Sequence, residues 1–243
     1  VIDETFLMGL ASAPYEEVPV SQAQIRDGAV LVVYGETLRL KEQTWRAAGV
    51  AVPLFSLRST HSYGVGDFGD LRRMVSWAAA TGMKLIQLLP VNDTSLSHTW
   101  SDSNPYRIIS AFALHPQYMD LEALGSLRKK SRMTMYYRQR QELNALPYSD
   151  YEAVERVKGA YIREIYDEKG KATIESKEFK QWLEENREWL EPYALWLNRR
   201  SAHDDDTLFV YYVQYHLHLQ LKTAADEARS KGIFIKGDLP IDL

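Results

Sequence analysis

The sequence has 243 residues, 45% of them hydrophobic and 26% charged, and its formal net charge at pH 7 is −4. These proportions are typical of a globular protein, and the negative charge argues against a general nucleic-acid binder. The absence of cysteine excludes disulfides, thiol catalysis and thiolate metal sites, and no apolar run approaches the ~20 residues that a membrane span requires.

Residues 1–45 are predicted to be the end of a β-rich module followed by a linker. The hydrophobic residues of 29–34 indicate a strand, and Asp27 and Gly28 before them indicate a turn. One or two strands cannot bury a hydrophobic face alone, so this strand would need partners from an earlier module. The alternative is an N-terminal arm that packs on the domain that follows.

Residues 48–89 have the pattern of a βαβ unit. Two apolar runs, 48–57 and 85–89, flank a glycine-rich polar loop and a helix that we predict over 68–81. Gly82 ends this helix, because glycine accepts the positive φ that a helix terminus often requires. The pattern predicts two parallel strands joined by a right-handed crossover, with the second strand buried on both faces.

A dense polar loop follows the second strand, which Pro90 ends because proline has no N–H to donate. Two aromatic residues, Trp100 and Tyr106, lie among its polar residues. Those polar residues are Asn92, Asp93, Thr94, Ser95, Ser97, His98, Thr99, Ser101, Asp102 and Ser103. Parallel α/β folds place ligand sites at the carboxyl ends of their strands, and hydrogen-bonding groups beside aromatic rings suit a sugar. The alternative is a surface loop rich in turn-forming residues.

Residues 121–205 are predicted to be mainly helical and to carry no obvious chemistry. Ser149 and Glu152 have the spacing of a capping box at the start of one helix. We expect a break at 169–171 and a new helix that starts at Pro192, because proline suits the first turn of a helix. We interpret this region as a helical insertion that shields or extends a site.

A long helix is predicted over 208–229, because apolar residues recur there at helical spacing. His216 and His218 point to different sides of such a helix and make a poor metal pair, so we interpret both as structural. A strand is predicted over 233–235. Asp238 comes soon after it, so a carboxylate again follows the carboxyl end of a strand.

Several motifs of this sequence resemble one family of enzymes. They are PLFSLRS at 53–59, YGVGDFGDL at 63–71, LLPVNDT at 88–94, DSNPY at 102–106, ALHP at 113–116, the stretch 212–221 and KGDLPI at 236–241. This combination resembles the 4-α-glucanotransferases, or amylomaltases, of glycoside hydrolase family 77. The stretches ELNAL at 142–146 and WLEPYA at 189–194 are similar to the branch that includes the plant cytosolic disproportionating enzyme and its bacterial relatives.

The resemblance implies an α/β fold, the (β/α)₈ TIM barrel, of which this chain would supply about the first three strands. Members of this branch carry starch-binding modules ahead of the barrel. Residues 1–45 would then be the end of a starch-binding-like module and a linker. Residues 46–243 would be the N-terminal part of the barrel, with the helical insertion over about 121–205.

The activity that the resemblance implies is retaining transfer of α-1,4-linked glucosyl units from maltose or a malto-oligosaccharide to a glucan acceptor. No cofactor and no metal are expected. The expected partners are maltose, malto-oligosaccharides and glucan polymers, with no nucleic acid and no membrane. The family, the missing cysteines and the lack of a visible signal peptide together predict a cytoplasmic location.

The resemblance also assigns substrate-binding roles. Tyr106 would stack on a donor sugar or hydrogen-bond to it, and Trp100 would form a further wall. Asp102 and Ser103 would shape the loop, and Asp238 would bind hydroxyls near the donor ring. Each role has a structural alternative: Asp102 as a turn former, Tyr106 as loop packing and Asp238 as a cap.

The catalytic carboxylates of this family follow the motif that holds Asp238, so we expect them after Leu243 and assign no catalytic residue here. Retaining enzymes hold two such carboxyl groups ~5–5.5 Å apart. Three strands cannot close a barrel, so a protein ending at Leu243 is expected to fold poorly. The connection at 201–207 is also shorter than expected, which suggests missing residues. Two alternative functions are a non-catalytic glucan-binding fragment and another barrel enzyme such as a hydrolase.

Overall fold

The computed structural model describes residues 5–6, 18–19, 46–200 and 206–240. The chain divides into two compact units, Val1–Arg46 and Ala47–Leu243. In the first unit, strands β1 (Thr5–Phe6) and β2 (Val18–Pro19) pair in antiparallel fashion. The strand predicted over 29–34 lies outside the described residues, so the starch-binding-like module stays a prediction.

The second unit contains a sheet of three parallel strands in the order β3, β4, β5. Their bounds are Gly49–Ala51, Leu85–Gln87 and Phe234–Lys236. Val50 pairs with Ile86 and Ile86 with Ile235, so β4 is the central strand. The predicted parallel arrangement is confirmed. The prediction that β4 is buried on both faces is wrong, because only Ile86 is fully buried while Leu85 and Gln87, which point to the other face, are half-buried.

The first predicted strand is shorter than its apolar run. Only Gly49–Ala51 lies in β3, and Leu54–Ser56 forms a 3₁₀ turn closed by the Leu57 N–H on the Leu54 carbonyl at 3.1 Å. Pro53 lies between the two elements. Because proline has no N–H, it cannot extend the ladder on β4.

Helix α1 (Phe68–Ala80) joins β3 to β4, as predicted. A capping box starts it: the Asp67 carboxylate accepts from the Asp70 N–H, and the Asp70 carboxylate accepts from the Asp67 N–H, both at 3.2 Å. Gly82 after the helix has φ 78°, the left-handed conformation that glycine favours. Helix α7 (Thr207–Ser230) packs against α1 and leads into β5, and the prediction of a long helix there is confirmed.

The remaining helices lie between β4 and α7. They are α2 (Leu121–Leu124), α3 (Lys130–Ala145), α4 (Tyr151–Ile165), α5 (Lys171–Glu175) and α6 (Lys177–Arg200). The main core is formed by the sheet, α1, α4 and α7. A second core of mostly aromatic residues lies where α6 meets α7, and includes Phe179, Trp182, Tyr193, Tyr211 and Tyr215.

The predicted capping box at the start of α4 is wrong. Asp150 is the N-cap, and its carboxylate accepts from the Ala153 N–H at 3.0 Å. The Ser149 hydroxyl instead donates to the Gly64 carbonyl at 3.2 Å, a bond between distant parts of the chain. Ser149 is thus recruited by tertiary structure, which local spacing cannot reveal.

The predicted break at 169–171 is also wrong. A π-helical turn, Tyr166–Gly170, joins α4 to α5 without interruption. A Cβ on Gly170 would lie 2.4 Å from a ring carbon of Tyr166, so the glycine allows the ring to pack closely rather than ending the helix. The prediction of a helix start at Pro192 is wrong as well, because α6 continues through it. Burial of Leu190, Tyr193 and Ala194 offsets the hydrogen bond that proline cannot make.

Across residues 46–200 and 206–240, none of the helices is both long and apolar enough to cross a membrane.

Candidate functional site

Two loops leave the carboxyl ends of neighbouring strands. Loop 1 (52–67) follows β3, and loop 2 (88–115) follows β4. Residues 237–240 follow β5 at the same edge, because the three strands are parallel. Ligand sites of parallel α/β folds lie at this edge, so all three segments are candidates for a site.

Loop 1 is sealed by polar contacts and close packing. The Asp70 carboxylate accepts from the Ser59 and Ser62 hydroxyls, both at 2.6 Å. Asn144 of α3 binds three backbone groups of loop 1, including the Ser62 carbonyl at 2.6 Å. A Cβ on Gly66 would lie 2.2 Å from a carbonyl oxygen, so only glycine fits there. Residues 62–67 of loop 1 are therefore all buried, and these contacts hold them in place.

A buried ion pair completes loop 1. The Lys158 ammonium of α4, 1% exposed, donates to the Asp67 carboxylate at 3.2 Å and to the carbonyls of Gln117 and Met119 at 2.7 and 2.8 Å. Burial raises the pKa of Asp67 to about 7, and the charge of Lys158 opposes that shift. All three donor positions of the ammonium are occupied, so this pair is structural.

Loop 2 is anchored at its start by a second buried carboxylate. Asp93 accepts from the Ser95 N–H and hydroxyl, at 2.9 and 2.6 Å, and from the Tyr193 hydroxyl of α6 at 2.5 Å. Burial raises the pKa of Tyr193 well above its usual value, and the nearby Asp93 charge adds to the shift. These bonds fix the point where loop 2 leaves the sheet.

Asp102 organises the middle of loop 2. Its carboxylate accepts from the N–H groups of Ser97 and His98, both at 2.7 Å, and from the Ser97 hydroxyl at 2.9 Å. Asp102 lies in a 3₁₀ turn, Trp100–Ser103, that also contains two more of the predicted site residues. In this structure its oxygens are therefore occupied by the backbone and hydroxyl of its own loop.

The structure brings together two predicted site residues that are far apart in the sequence. The Tyr106 hydroxyl donates to the Asp238 carboxylate at 2.8 Å, and this bond raises the pKa of Tyr106. Asp238 accepts one further bond, from the Leu239 N–H at 3.1 Å. A carboxylate has about four acceptor positions, so this half-buried group keeps capacity for hydroxyl donors of a ligand.

The other predicted site residues do not join this pair. Trp100 is 74% exposed, and Ser103 is half-buried. Within the described ranges, no hydrogen bond or ring contact links Trp100 or Ser103 to Tyr106 or Asp238. They lie in the same loop as Tyr106, a few residues before it.

Sequence reasoning missed the contribution of α4 to loop 2. The Glu155 carboxylate accepts a hydrogen bond from His98 Nδ1 at 2.5 Å, and the Glu152 carboxylate accepts from the Trp100 N–H at 3.2 Å. The two glutamates are three residues apart and therefore lie on one face of the helix. That spacing was visible in the sequence, but nothing local indicated which loop the face would meet.

In the segments that the structure covers, no three metal-ligating side chains gather into a group that could hold an ion.

Known proteins resemble this chain in sequence. The family model for the 4-alpha-glucanotransferases of glycoside hydrolase family 77 matches residues 52–206 and 197–243. The 4-alpha-glucanotransferase DPE2 of Oryza sativa subsp. japonica is 36% identical over 269 residues, which cover 99% of this chain. The chain spans 28% of the length of that rice protein.

Two solved structures resemble the chain in fold. The amylomaltase from Corynebacterium glutamicum matches 80% of this chain and 30% of its own, with a TM-score of 0.69 and 22% identity. The amylomaltase from Streptococcus agalactiae, solved in complex with acarbose, matches 81% of this chain and 44% of its own, with a TM-score of 0.63 and 20% identity. The predicted fold class is confirmed: the three parallel strands are part of the α/β barrel of the amylomaltases.

Proposed function

This chain belongs to the 4-alpha-glucanotransferase family, glycoside hydrolase family 77, and from that premise we propose that the protein transfers α-1,4-linked glucosyl units between glucans. The proposed donors are maltose and malto-oligosaccharides, and the proposed acceptors are glucan polymers. The proposed location is the cytoplasm. The acarbose complex of the S. agalactiae amylomaltase supports a sugar ligand of this kind.

The observation that carries this proposal is the Tyr106–Asp238 hydrogen bond at 2.8 Å. It joins the loops after β4 and β5 at the carboxyl edge of the sheet, where parallel barrels bind their substrates. The pair combines a flat aromatic ring with a carboxylate that has acceptor capacity left. A pyranose offers both counterparts, since its C–H face packs on a ring and its hydroxyls donate hydrogen bonds.

We propose that Asp238 accepts hydrogen bonds from hydroxyls of the donor sugar while Tyr106 packs against that sugar or hydrogen-bonds to it. Trp100, exposed on the same loop, forms a further wall for a longer glucan. Asp102 and Ser103 hold the loop that carries both aromatic residues. This sequence therefore supplies substrate binding, and we assign neither the nucleophile nor the acid/base to any of its residues.

The proposed chemistry is a retaining double displacement. A carboxylate nucleophile forms a glycosyl-enzyme intermediate, and an acid/base carboxyl group ~5–5.5 Å away protonates the leaving oxygen and then activates the acceptor. Transfer requires a sugar hydroxyl to compete successfully with water for the intermediate, so ordered binding walls such as Tyr106 and Trp100 favour transfer over hydrolysis.

The test uses the full-length protein, including any residues that flank this sequence. We expect glucose release from maltose that depends on added glycogen. Glucose release without an acceptor would favour a hydrolase, and glycogen binding without any release would favour a non-catalytic glucan-binding role.

Substitutions link this activity to the proposed site. Asp238→Asn and Tyr106→Phe are each expected to weaken acarbose binding about tenfold, the effect of losing one good hydrogen bond to a charged group. Tyr148→Phe is the matched control, because Tyr148 is exposed and lies outside loop 2. Equal acarbose affinities for all three variants and the unmodified protein would contradict the assignment of this site.

A further inference from the structure

The exposed middle of loop 2 is held by polar contacts rather than by burial. Residues 96–101 are all exposed. His98 of this stretch also lines a cavity of about 460 Å³ between loop 2, α4, α6 and α7, together with Asp93, Glu155 and Tyr193. Because all its residues are exposed, the conformation of this stretch depends mainly on its hydrogen bonds and ion pairs.

His98 makes the shortest of these contacts, and it does so in an unfavourable backbone conformation. Its Nδ1 lies 2.5 Å from the Glu155 carboxylate, and its own N–H donates to Asp102 at 2.7 Å. Its φ is 56°, and it is the one non-glycine residue with positive φ in the described part of the chain. A non-glycine residue in this conformation is strained, and such strain persists where surrounding contacts impose it.

We propose that His98 is a positioning residue: its ion pair with Glu155 holds loop 2 in the conformation that presents Trp100 and Tyr106 to a glucan. This inference rests on the proposed function and adds a residue and a helix to it. The insertion helix α4 then has a specific role, since Glu152 and Glu155 hold the loop from outside the sheet. Arg200 of α6 adds a third contact, on the Leu96 carbonyl at 3.0 Å.

The His98–Glu155 ion pair requires a protonated imidazole, so its contribution to the conformation of loop 2 depends on pH. The hydrogen bond to Glu155 is the main cause that raises the pKa of His98 above its ordinary value, and burial opposes it. Because the pKa of His98 is raised, the ion pair stabilises the loop 2 conformation fully below about pH 6.5. That stabilisation is lost as pH rises through the raised pKa.

The other charged groups around His98 come from every element that surrounds it. They are Asp93, Asp102 and His115 near the same loop, Glu152, Lys158 and Arg163 of α4, Arg200 of α6, and Asp206 at the start of α7. The acidic groups nearest the imidazole, Glu155, Asp102 and Asp93, all raise the pKa of His98. The field at His98 therefore favours its charged form.

The decisive measurement is amide hydrogen exchange of the peptide 94–106 in the full-length protein, at about pH 6 and about pH 8.5, corrected for intrinsic exchange rates. We expect exchange of the unmodified protein to rise about two- to fivefold at the higher pH, the range for a partly exposed ion pair. His98→Asn and Glu155→Gln should remove this pH dependence, and their combination should add nothing further. Asparagine is chosen because it tolerates positive φ.

Acarbose affinity is the second readout. At about pH 6, H98N and E155Q should each weaken acarbose binding about two- to fivefold, and the double variant should match them. His61→Asn is the matched control, because His61 pairs with Glu122 at 2.8 Å in loop 1, away from loop 2. It should change neither loop 2 exchange nor acarbose affinity.

The outcomes separate this inference from the proposed function. If H98N and E155Q leave the exchange of 94–106 and the acarbose affinity as in the unmodified protein, His98 does not position the loop and the inference is overturned. A changed exchange with unchanged affinity also overturns it, because the loop would then not present the site. If the unmodified protein neither binds acarbose nor releases glucose from maltose, the proposed function fails instead.

Discussion

Loop 1 and the Tyr106–Asp238 pair both lie at the carboxyl edge of the sheet, and each contains a carboxylate. The two carboxylates differ in burial and in how many hydrogen bonds they accept. Asp67 at the end of loop 1 is 3% exposed and is fully engaged with Lys158 and the N-terminus of α1. Asp238 after β5 is half-buried and has two hydrogen bonds. Both carboxylates come after parallel strands, so that location alone does not decide whether a carboxylate is free to accept further hydrogen bonds.

Helices α3 and α4 account for the difference. Asn144 of α3 and Lys158 of α4 close over loop 1 and satisfy its polar groups. Over loop 2, α4 contributes Glu152 and Glu155, which hold the exposed stretch from one side. A strand end remains available to a ligand where no neighbouring helix satisfies its polar groups first.

Breaking the buried Lys158–Asp67 ion pair should cause the largest loss of stability. Lys158→Met keeps the apolar stem but removes the ammonium that donates to the Asp67 carboxylate and to the Gln117 and Met119 carbonyls. We expect a loss of about 3–5 kcal/mol in the free energy of unfolding, the usual result of breaking a buried ion pair from one side. Urea denaturation of the full-length protein followed by circular dichroism measures it.

The matched control is Lys171→Met, on the exposed surface of α5. Lys171 lies 3.8 Å from Glu175 with most of its side chain in water, so the stability should hardly change. Similar losses for the two variants would mean that loop 1 is not held by its buried pair, and the contrast with Asp238 would lose its basis.

The loss of unfolding free energy caused by Lys158→Met should also depend on pH. The pKa of Asp67 is about 7 in the folded protein and about 3.9 in an unfolded chain, so the folded state binds more protons between these values. Stability therefore falls as pH rises from about 4 to about 7 and then levels off for this group. Without the Lys158 charge the pKa of Asp67 rises further, so the loss caused by K158M should grow between about pH 6 and pH 8.5. A loss independent of pH would place its cause in packing.

Removing the Tyr193–Asp93 hydrogen bond, which anchors loop 2, should cause an intermediate loss of stability. Tyr193→Phe removes the hydroxyl that donates to the buried Asp93, which keeps only the two bonds from Ser95. We expect a loss of about 1–3 kcal/mol, the cost of leaving a buried group without one partner. Tyr148→Phe, at an exposed position, is the control and should be neutral. Equal stability of both variants would show that water replaces Tyr193 at Asp93.

The fold was largely predictable because local patterns agree with the tertiary structure. Apolar spacing predicted α1 and α7, and the alternation of strand, helix and strand predicted the parallel sheet. The errors at Ser149, Gly170 and Pro192 share a cause: each residue has a local tendency that a packing contact or hydrogen bond overrides. The Gly64 carbonyl accepts from Ser149, and the Tyr166 ring, one helical turn earlier, packs on Gly170. Helix α6 continues through Pro192, next to Leu190, Tyr193 and Ala194 of the second core.

The candidate site was predictable residue by residue but not as an arrangement. The motif resemblance singled out Tyr106 and Asp238 separately, but it gave no sign of the hydrogen bond between them, which spans 132 positions of the sequence. The pairs His98–Glu155 and Tyr193–Asp93 gave no local signal, because each joins loop 2 to a helix far along the chain, α4 or α6. Such contacts depend on how α4 and α6 pack, which the periodicity of neither helix specifies.

The smallest stability effect should come from the candidate site itself, and it is the sharpest test of the contrast. Tyr106→Phe removes the hydroxyl that donates to Asp238, as Tyr193→Phe removes the one that donates to Asp93. Water can replace the Tyr106 hydroxyl at the half-exposed Asp238, so we expect the thermal midpoint to fall by at most about 1–2 °C. The same exchange at Tyr193 leaves a buried carboxylate that water reaches poorly. If Tyr106→Phe lowered the midpoint as much as Tyr193→Phe, the Tyr106–Asp238 bond would be part of the structural framework, like Asp67 and Lys158, and Asp238 would not be available to a sugar.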